Sequence, residues 1–299
     1  MEFCGPTHPR QTLSYLAELF RKHGLIPKKK LGQNFLIDLN LLEVIVRAAE
    51  LTREDLVVEV GTGTGSLTAR LADEAGAVFS VEIDRDFHDL ARQSLGDRPN
   101  LLLVQADVLK NKNHLNPKVL DQLAELRGRF PLPRMKLVAN LPYVVATPVI
   151  GNFLALDLPL ERMVVTVQWE LAERLWAQPG TKDYGALAVL VQSVTDVSLV
   201  RKLPPSVFWP RPQVDSAIVL IRPNPEKRTR APELLRLRPF LRDLYAHRRK
   251  NLRGALAALP GRLDKKTVDL KLAELDLDGS VRAETLSIEE HWQLCDAFG

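Results

Sequence analysis

A chain of 299 residues with 45% apolar side chains can bury one full-sized α/β core and carry a smaller appendage. No run approaches the roughly 18 apolar residues of a membrane span and no apolar secretory signal opens the chain, so a cytoplasmic, reduced setting is expected, in keeping with two cysteines, Cys4 and Cys295, near opposite ends that resemble neither a disulfide framework nor a metal-ligand cluster. The net charge of +4 is unevenly spread, with 15 Lys+Arg against 4 Asp+Glu between Arg201 and Arg262 and 26 against 33 elsewhere.

In chain order, residues 11–23 show helical spacing and stop at Gly24; the basic loop "PKKKLGQNFL" and a second helix over 39–51 follow. Apolar runs then alternate with amphipathic ones: strand 56–60, helix 66–74, strand 77–82, helix 85–95, strand 101–105, strand 136–139, helix 148–156 and strand 162–168. That rhythm predicts βαβ crossovers and a mostly parallel sheet covered on both faces. Residues 108–135 break it. With "KNKNHLNPK", a short helix around Val119 to Leu126 and "RFPLPR", they read as a surface excursion. From about 223 the spacing is helical with no strand pattern, which marks a small all-helical C-terminal domain. The expected organisation is therefore an N-terminal helix and basic segment over 1–38, an α/β domain over 39–222 and a helical domain over 223–299. Its basic segment suits a polyanion partner, or serves as a solvated helix face.

The stretch "LVVEVGTGTGSLTARLA" is a strand, a glycine turn and the start of a helix. Gly61, Gly63 and Gly65 let a ligand approach the backbone, and the helix N-terminus adds unpaired N–H groups and positive dipole character. The spacing is G-x-G-x-G, not the G-x-G-x-x-G of dinucleotide binders, which favours a nucleotide-type pocket without a pyrophosphate. Glu82 ends the next strand, 21 positions after Gly61, where a carboxylate can take both hydroxyls of a ribose. Asp107, at the tip of the third strand, is placed to meet an adenine amino group. Each alone is an ordinary turn, cap or solvated charge; jointly the three strand ends make one crevice at the carboxyl edge of the sheet.

"VANLPYVVATP" brings Asn140, Leu141, Pro142 and Tyr143 to the end of the fourth strand, on the same edge. Pro142 removes a backbone donor and keeps Leu141 extended, so the Leu141 carbonyl can point at a ligand beside the Asn140 side-chain oxygen. Two acceptors suit an –NH2 group, and the tyrosine ring suits a flat base. An exocyclic adenine amine becomes nucleophilic when hydrogen bonds to both N–H groups favour a pyramidal nitrogen. Aligning it with a sulfonium methyl donor in the glycine pocket can account for about 7–11 kcal/mol of a barrier. No metal site is expected, since the six histidines show no H-x-x-x-H or related spacing. A base in a duplex must first be flipped out, and stacking on Tyr143 returns about 1–3 kcal/mol. Phe208, in "PPSVFWPRPQVDSA", is either a second stacking face or a core aromatic in a proline-stiffened turn.

These segments resemble a known family. "KKKLGQNFL", "EVGTGTGSLT", "VEID", "QADVL", "NLPYVVATP", "VQWELAERL", "YGALAVLVQ", "LPPSVFWPRPQVDSAIV" and "RRKNLRGAL" stand in the order found in the KsgA-type ribosomal RNA adenine dimethyltransferases, over about residues 25–260. The resemblance implies a Rossmann-like methyltransferase fold that uses S-adenosylmethionine. It further implies dimethylation of two adjacent adenines in small-subunit rRNA, late in ribosome assembly. A monomer is the default expectation, since no long exposed apolar helix face is evident in the sequence, and no membrane partner is expected. By position it implies cofactor contacts at Asn34, Leu36, Gly61, Gly63, Glu82, Asp107 and Asn140. It places target-base contacts at Asn140, Leu141, Pro142, Tyr143 and Phe208, and rRNA contacts in the helical domain at Arg248, Arg249, Lys250 and Arg253.

Three features depart from the pattern. Ala146 replaces the usual hydroxyl residue, the 108–135 excursion is longer than usual, and the match loosens from about 263 until "LSIEEHWQLCDAF". Two other readings are the Erm-type enzymes of large-subunit rRNA, which usually carry isoleucine where this chain has Leu141, and a non-catalytic rRNA-binding assembly factor of the same fold.

Overall fold

The computed structural model describes residues 13–261 and 263–299; Cys4, the first two residues of the predicted helix 11–23, and Arg262 lie outside them. The elements are α1 (Leu13–His23), β1 (Phe35–Leu36), α2 (Leu39–Ala49), β2 (Asp55–Val60), α3 (Ser66–Glu74), β3 (Ala77–Glu82), α4 (Arg85–Leu95), β4 (Leu101–Gln105), β5 (Leu109–Asn111), β6 (His114–Leu115), α5 (Pro117–Arg129) and β7 (Arg134–Asn140). There follow α6 (Ala146–Leu154), β8 (Leu160–Gln168), α7 (Trp169–Trp176), α8 (Ala186–Gln192), β9 (Thr195–Leu203), β10 (Phe208–Trp209), β11 (Ser216–Pro223), α9 (Leu234–Tyr245), α10 (Leu252–Leu256), α11 (Lys265–Glu274) and α12 (Ile288–Phe298).

Seven strands form one sheet in the order β4-β3-β2-β7-β8-β11-β9. β2 runs parallel to both β3 and β7, β3 to β4, and β7 to β8. Every residue of β2 and β3 is buried, as strands covered on both faces must be, which is why they read as unbroken apolar runs rather than alternating ones. The chain leaves β2 for β3 and β4 on one side and returns to β7 on the other. The carboxyl ends of β2 and β7 are therefore the switch point at which open α/β sheets leave a crevice. Side-chain caps start the flanking helices there: the Asp84 carboxylate accepts from the Asp86 N–H at the head of α4, and Asp38 does the same for α2. At the opposite end of the sheet, fully buried Asp55 accepts from Lys136 Nζ at 3.0 Å and Arg134 Nε at 2.8 Å. Glu50, in the left-handed region at φ 46°, closes α2 with its carbonyl turned to Lys136 Nζ at 2.7 Å.

The stretch expected to be a surface excursion is instead a covering element. β5 and β6 form a two-stranded ladder, and α5 runs for 13 residues, capped by Asn116 with Pro117 in its first turn. Val119, Leu123 and Leu126 form its buried stripe. The charges between them occupy its solvent side, and the short helix expected around Val119 to Leu126 extends from Pro117 to Arg129.

Contacts divide the chain into two compact units that interleave in sequence. One holds residues up to Val149 with Leu158–Trp169 and Leu199–Leu220; the other holds Ile150–Asp157, Glu170–Ser198 and everything from Ile221 onward. The second unit thus includes segments that lie before residue 223. It buries Leu234, Leu237, Leu241 and Leu244 of α9 with Leu252, Leu272 and Trp292. Arg230 lies 4.1 Å from the Trp292 ring and pairs with Glu233 and Asp296. His291 is fully buried; Nδ1 donates to the Ser287 carbonyl at 2.7 Å, leaving Nε2 to accept from the Tyr245 hydroxyl at 3.0 Å. Burial pushes its pKa down to about 4, so it packs as a neutral ring. No helix among the described residues is long and apolar enough to cross a membrane.

Candidate active site

A cleft opens at the carboxyl ends of β2, β3 and β7. Its floor needs glycine at two points. Gly61, at φ 88°, would bring a Cβ within 3.1 Å of the Pro142 ring, and Gly63, at φ 55°, would set one 3.0 Å from the Phe35 ring. Glu82 stands at the end of β3, 5% exposed, with Oε2 accepting from the Gly63 N–H and Oε1 from the Asp84 N–H, both at 2.9 Å. Burial raises its pKa, and these two backbone bonds only partly offset that. Behind it lies a second acid. Glu59, 1% exposed, accepts from Thr68 Oγ1 and Ser80 Oγ, each at 2.6 Å, and Ser80 bonds to Thr62 at 2.6 Å. Burial outweighs the two hydroxyl bonds and pushes Glu59 up to about 8.

The basic loop 28–34 closes one side. Its own turn is tied by the Lys28 N–H donating to Gln33 Oε1 at 2.7 Å, and both side chains then reach Asp84: Lys28 Nζ at 2.9 Å and Gln33 Nε2 at 3.1 Å. Burial works to raise the Asp84 pKa, but the bonds from Lys28 and Gln33 prevail and hold it below the usual carboxylate range. Gly32, at φ 68°, lets this loop lie on the next turn, because a Cβ there would stand 3.1 Å from the Tyr143 nitrogen. From the same loop the Asn34 carbonyl accepts Asn140 Nδ2 at 2.9 Å.

That last bond orients the Asn140 amide. With Nδ2 committed to Asn34, Oδ1 is the acceptor left over, and among the described residues neither it nor the Leu141 carbonyl receives a donor. Val145 N–H donates to the Pro142 carbonyl at 3.0 Å, which closes the turn and leaves the Leu141 carbonyl outside it. The Tyr143 hydroxyl lies 2.6 Å from Ser216 Oγ, and burial raises its pKa.

Asn34, Leu36, Gly61, Gly63, Glu82 and the Asn140–Tyr143 turn therefore line one cleft. Asp107 does not. It is exposed and its carboxylate accepts from the Leu109 N–H at 2.9 Å, the ordinary fate of an aspartate opening a turn. Phe208 is also placed differently from a ring over the pocket. It pairs with Leu36 in the β1–β10 ladder, is 2% exposed and packs with Leu36, Leu41 and Leu203, where a large ring gains most from burial. In the second unit, Arg248 donates to the Lys182 carbonyl at 2.6 Å and Arg253 pairs with Asp269, whereas the side chains of Arg249 and Lys250 are exposed and have no polar partner among the described residues. Sequence reasoning missed Glu59, Asp84 and Ser216. Two of them carried a local signal: Glu59 is the one acid inside the apolar run "LVVEV", and Asp84 stands directly before the helix expected over 85–95, where a cap belongs.

The model of the ribosomal RNA adenine dimethylase family matches residues 26–297. The chain belongs to that family. Among similar proteins, the ribosomal RNA small subunit methyltransferase A of Pediococcus pentosaceus is 40% identical over 290 residues, covering 96% of this chain and 93% of its own length. The protein of the same name from Alkaliphilus oremlandii is 38% identical, covering 93% and 94%. A solved dimethyladenosine transferase from Plasmodium falciparum superposes with a TM-score of 0.67 at 24% identity, over 86% of this chain and 94% of that one, so the two share a fold. The 23S rRNA methyltransferase ErmE gives a TM-score of 0.59 at 25% identity, over 88% and 99%. The Rossmann-like methyltransferase fold and the adenine dimethylase family thus agree with the sheet order and with the cleft at its switch point.

Proposed function

We propose that this member of the rRNA adenine dimethylase family uses S-adenosylmethionine to dimethylate the exocyclic amines of two adjacent adenines in small-subunit rRNA during ribosome assembly. The observation that carries the reading is the Asn140–Leu141 pair: two undonated acceptors beside an aromatic ring, next to a glycine-floored cleft with a buried carboxylate. The small-subunit part of the reading rests on relatives at 38–40% identity, against 25% for the 23S enzyme.

The residues present fit the cofactor. Glu82 is held by two backbone N–H groups with lone pairs to spare for ribose hydroxyls, and Gly61 and Gly63 leave the floor free of side chains. When bound, the cofactor supplies an electrophilic sulfonium methyl group whose departing sulfur keeps the electron pair. The chain's own residues do the rest. Tyr143 stacks on the unpaired base, and Asn140 Oδ1 and the Leu141 carbonyl each accept one N–H of the amine. The nitrogen lone pair is then directed toward the cleft, and after transfer the proton passes to water. Asn34 and Leu36 cover the cofactor from the N-terminal side, and Arg249 and Lys250 hold RNA phosphates.

The test is transfer of labelled methyl from S-adenosylmethionine to undermethylated small subunits and, in parallel, to protein-free large-subunit rRNA, with the labelled adenines mapped. Label on two adjacent small-subunit adenines is expected. Label confined to large-subunit RNA would move the assignment to the 23S-type reaction, and cofactor binding without transfer to either would leave an assembly factor.

A further inference from the structure

We propose that Ser216 is a positioning residue for methyl transfer, its hydroxyl setting through Tyr143 the tilt of the ring against which the target base is presented. The proposal rests on the reading that the 140–143 turn holds the adenine. Tyr143 sits in the connection between β7 and α6, where the bond from Val145 N–H to the Pro142 carbonyl closes the turn but fixes no side-chain torsion of the ring. What holds the ring comes from 73 positions further along the chain, at the first residue of β11. Ser216 is fully buried and stands on a braced frame. The carbonyl of neighbouring Asp215 accepts from the Trp169 N–H at 2.9 Å, and the Asp215 carboxylate pairs with Lys202 at 3.0 Å. The Lys202 ammonium in turn lies 4.2 Å from the centre of the Trp169 ring. The start of β11 is thus tied to the ends of β8 and β9, so the Ser216 oxygen is held by contacts independent of the 141–145 connection.

The hydroxyl of Tyr143 has no other partner among the described residues. Phenylalanine would offer the same stacking face and the same apolar area, so what tyrosine adds at this position is the anchor. Burial also pushes the Tyr143 pKa up, which keeps the hydroxyl protonated and available as one half of the pair. A ring free to rock would let the amine drift from the two acceptors, and alignment of the attacking atom is the largest contribution this site can make. The loss should therefore fall on the transfer step and leave cofactor binding alone.

Full-length wild type, Tyr143→Phe, Ser216→Ala and the double variant are compared for single-turnover transfer to saturating undermethylated small subunits and for cofactor affinity by calorimetry. Each single change is expected to slow transfer about tenfold at saturation with cofactor affinity unchanged, and the double change to be no slower than either single one. Losses that multiply in the double variant, or single variants as fast as wild type, would overturn the proposal. Should Ser216→Ala fail to fold, Tyr143→Phe removes only one oxygen and still decides through its rate at saturation. Wild-type protein that transfers no label would overturn the functional reading, and this proposal with it; an active wild type with indifferent variants overturns this proposal alone.

Discussion

The amide at position 140 donates through Nδ2 to the Asn34 carbonyl, 2.9 Å away, and keeps Oδ1 for the cleft. Both halves are needed, so two substitutions should fail for different reasons. Asn140→Ala removes the acceptor and is expected to slow transfer about a hundredfold or more while RNA affinity stays nearly intact. Asn140→Asp retains an acceptor but sets a second oxygen against the Asn34 carbonyl, where the repulsion turns the side chain or displaces the loop. It should be nearly as slow in single-turnover assays; an Asp variant close to wild type would mean that the acceptor alone suffices. Glu59 makes a second, independent prediction. Its pKa rises from 4.5 unfolded to about 8 folded, so both states hold the proton below about pH 4.5 and only the folded state holds it up to about pH 8. The stability linked to that proton is complete below the unfolded value and is lost as pH rises through the folded one, by roughly 4–5 kcal/mol over the whole interval. Glu59→Gln keeps an oxygen for Thr68 and Ser80 and has no proton to lose. Thermal melts of the ligand-free variant should therefore decline less than those of wild type between pH 5 and 8, and parallel profiles would assign the decline to other groups.

The elements that build the cleft differ in how plainly they were written. β2 and β3 were legible because strands buried on both faces leave continuous apolar runs, and the glycines and Glu82 follow each other at the carboxyl edge as that topology requires. α5 was half legible: Val119 to Leu126 showed its apolar stripe, but its capping Asn116 and Pro117 lay in a run read as loop. β1 and β10 were not legible, since two-residue strands have no period to detect, and without that pairing the two readings of Phe208, stacking face or core aromatic, could not be separated. Nor could any local pattern show Lys28 and Gln33 meeting Asp84 more than fifty positions away. That clasp is the element most open to test, because it fixes the loop bearing Asn34 over the cleft. Asp84→Asn keeps a side-chain oxygen for the Asp86 N–H, and asparagine caps helices as well as aspartate, so α4 should start where it does. What is lost is the charge that holds Lys28 and the second oxygen, which accepts from Gln33 Nε2, and cofactor affinity by calorimetry should weaken about three- to tenfold. Lys28→Met should weaken it to a similar degree, and the two together no further. Unchanged affinity in Asp84→Asn would show that the loop needs no clasp.

Across the whole molecule, the basic segment found in the sequence is largely answered by acids that follow it. Residues 223–299 carry 15 Lys+Arg against 12 Asp+Glu, a net of only +3, although the stretch from Arg201 to Arg262 alone stands at +11. The structure pairs them: Arg230 and Arg236 with Glu233 and Asp296, Arg253 with Asp269, and Arg248 near Glu284 at 3.9 Å. A cation already facing a carboxylate releases few counterions when it meets a phosphate, because the carboxylate must be displaced or neutralised as well. The grip on RNA should therefore come from the exposed pair without partners, Arg249 and Lys250, more than from Arg248 or Arg253. Arg249→Glu with Lys250→Glu is expected to lower rRNA affinity and to reduce the slope of log affinity against log salt by about 1–2, the change that losing one or two phosphate contacts produces. Arg253→Ala breaks an exposed pair that solvent screens and should leave that slope where it was. Filter binding across a salt series separates the two. If Arg253→Ala flattens the slope as much as the double reversal does, Asp269 yields to RNA and the paired arginines belong to the binding surface; if neither moves it, the phosphates are held elsewhere in the chain.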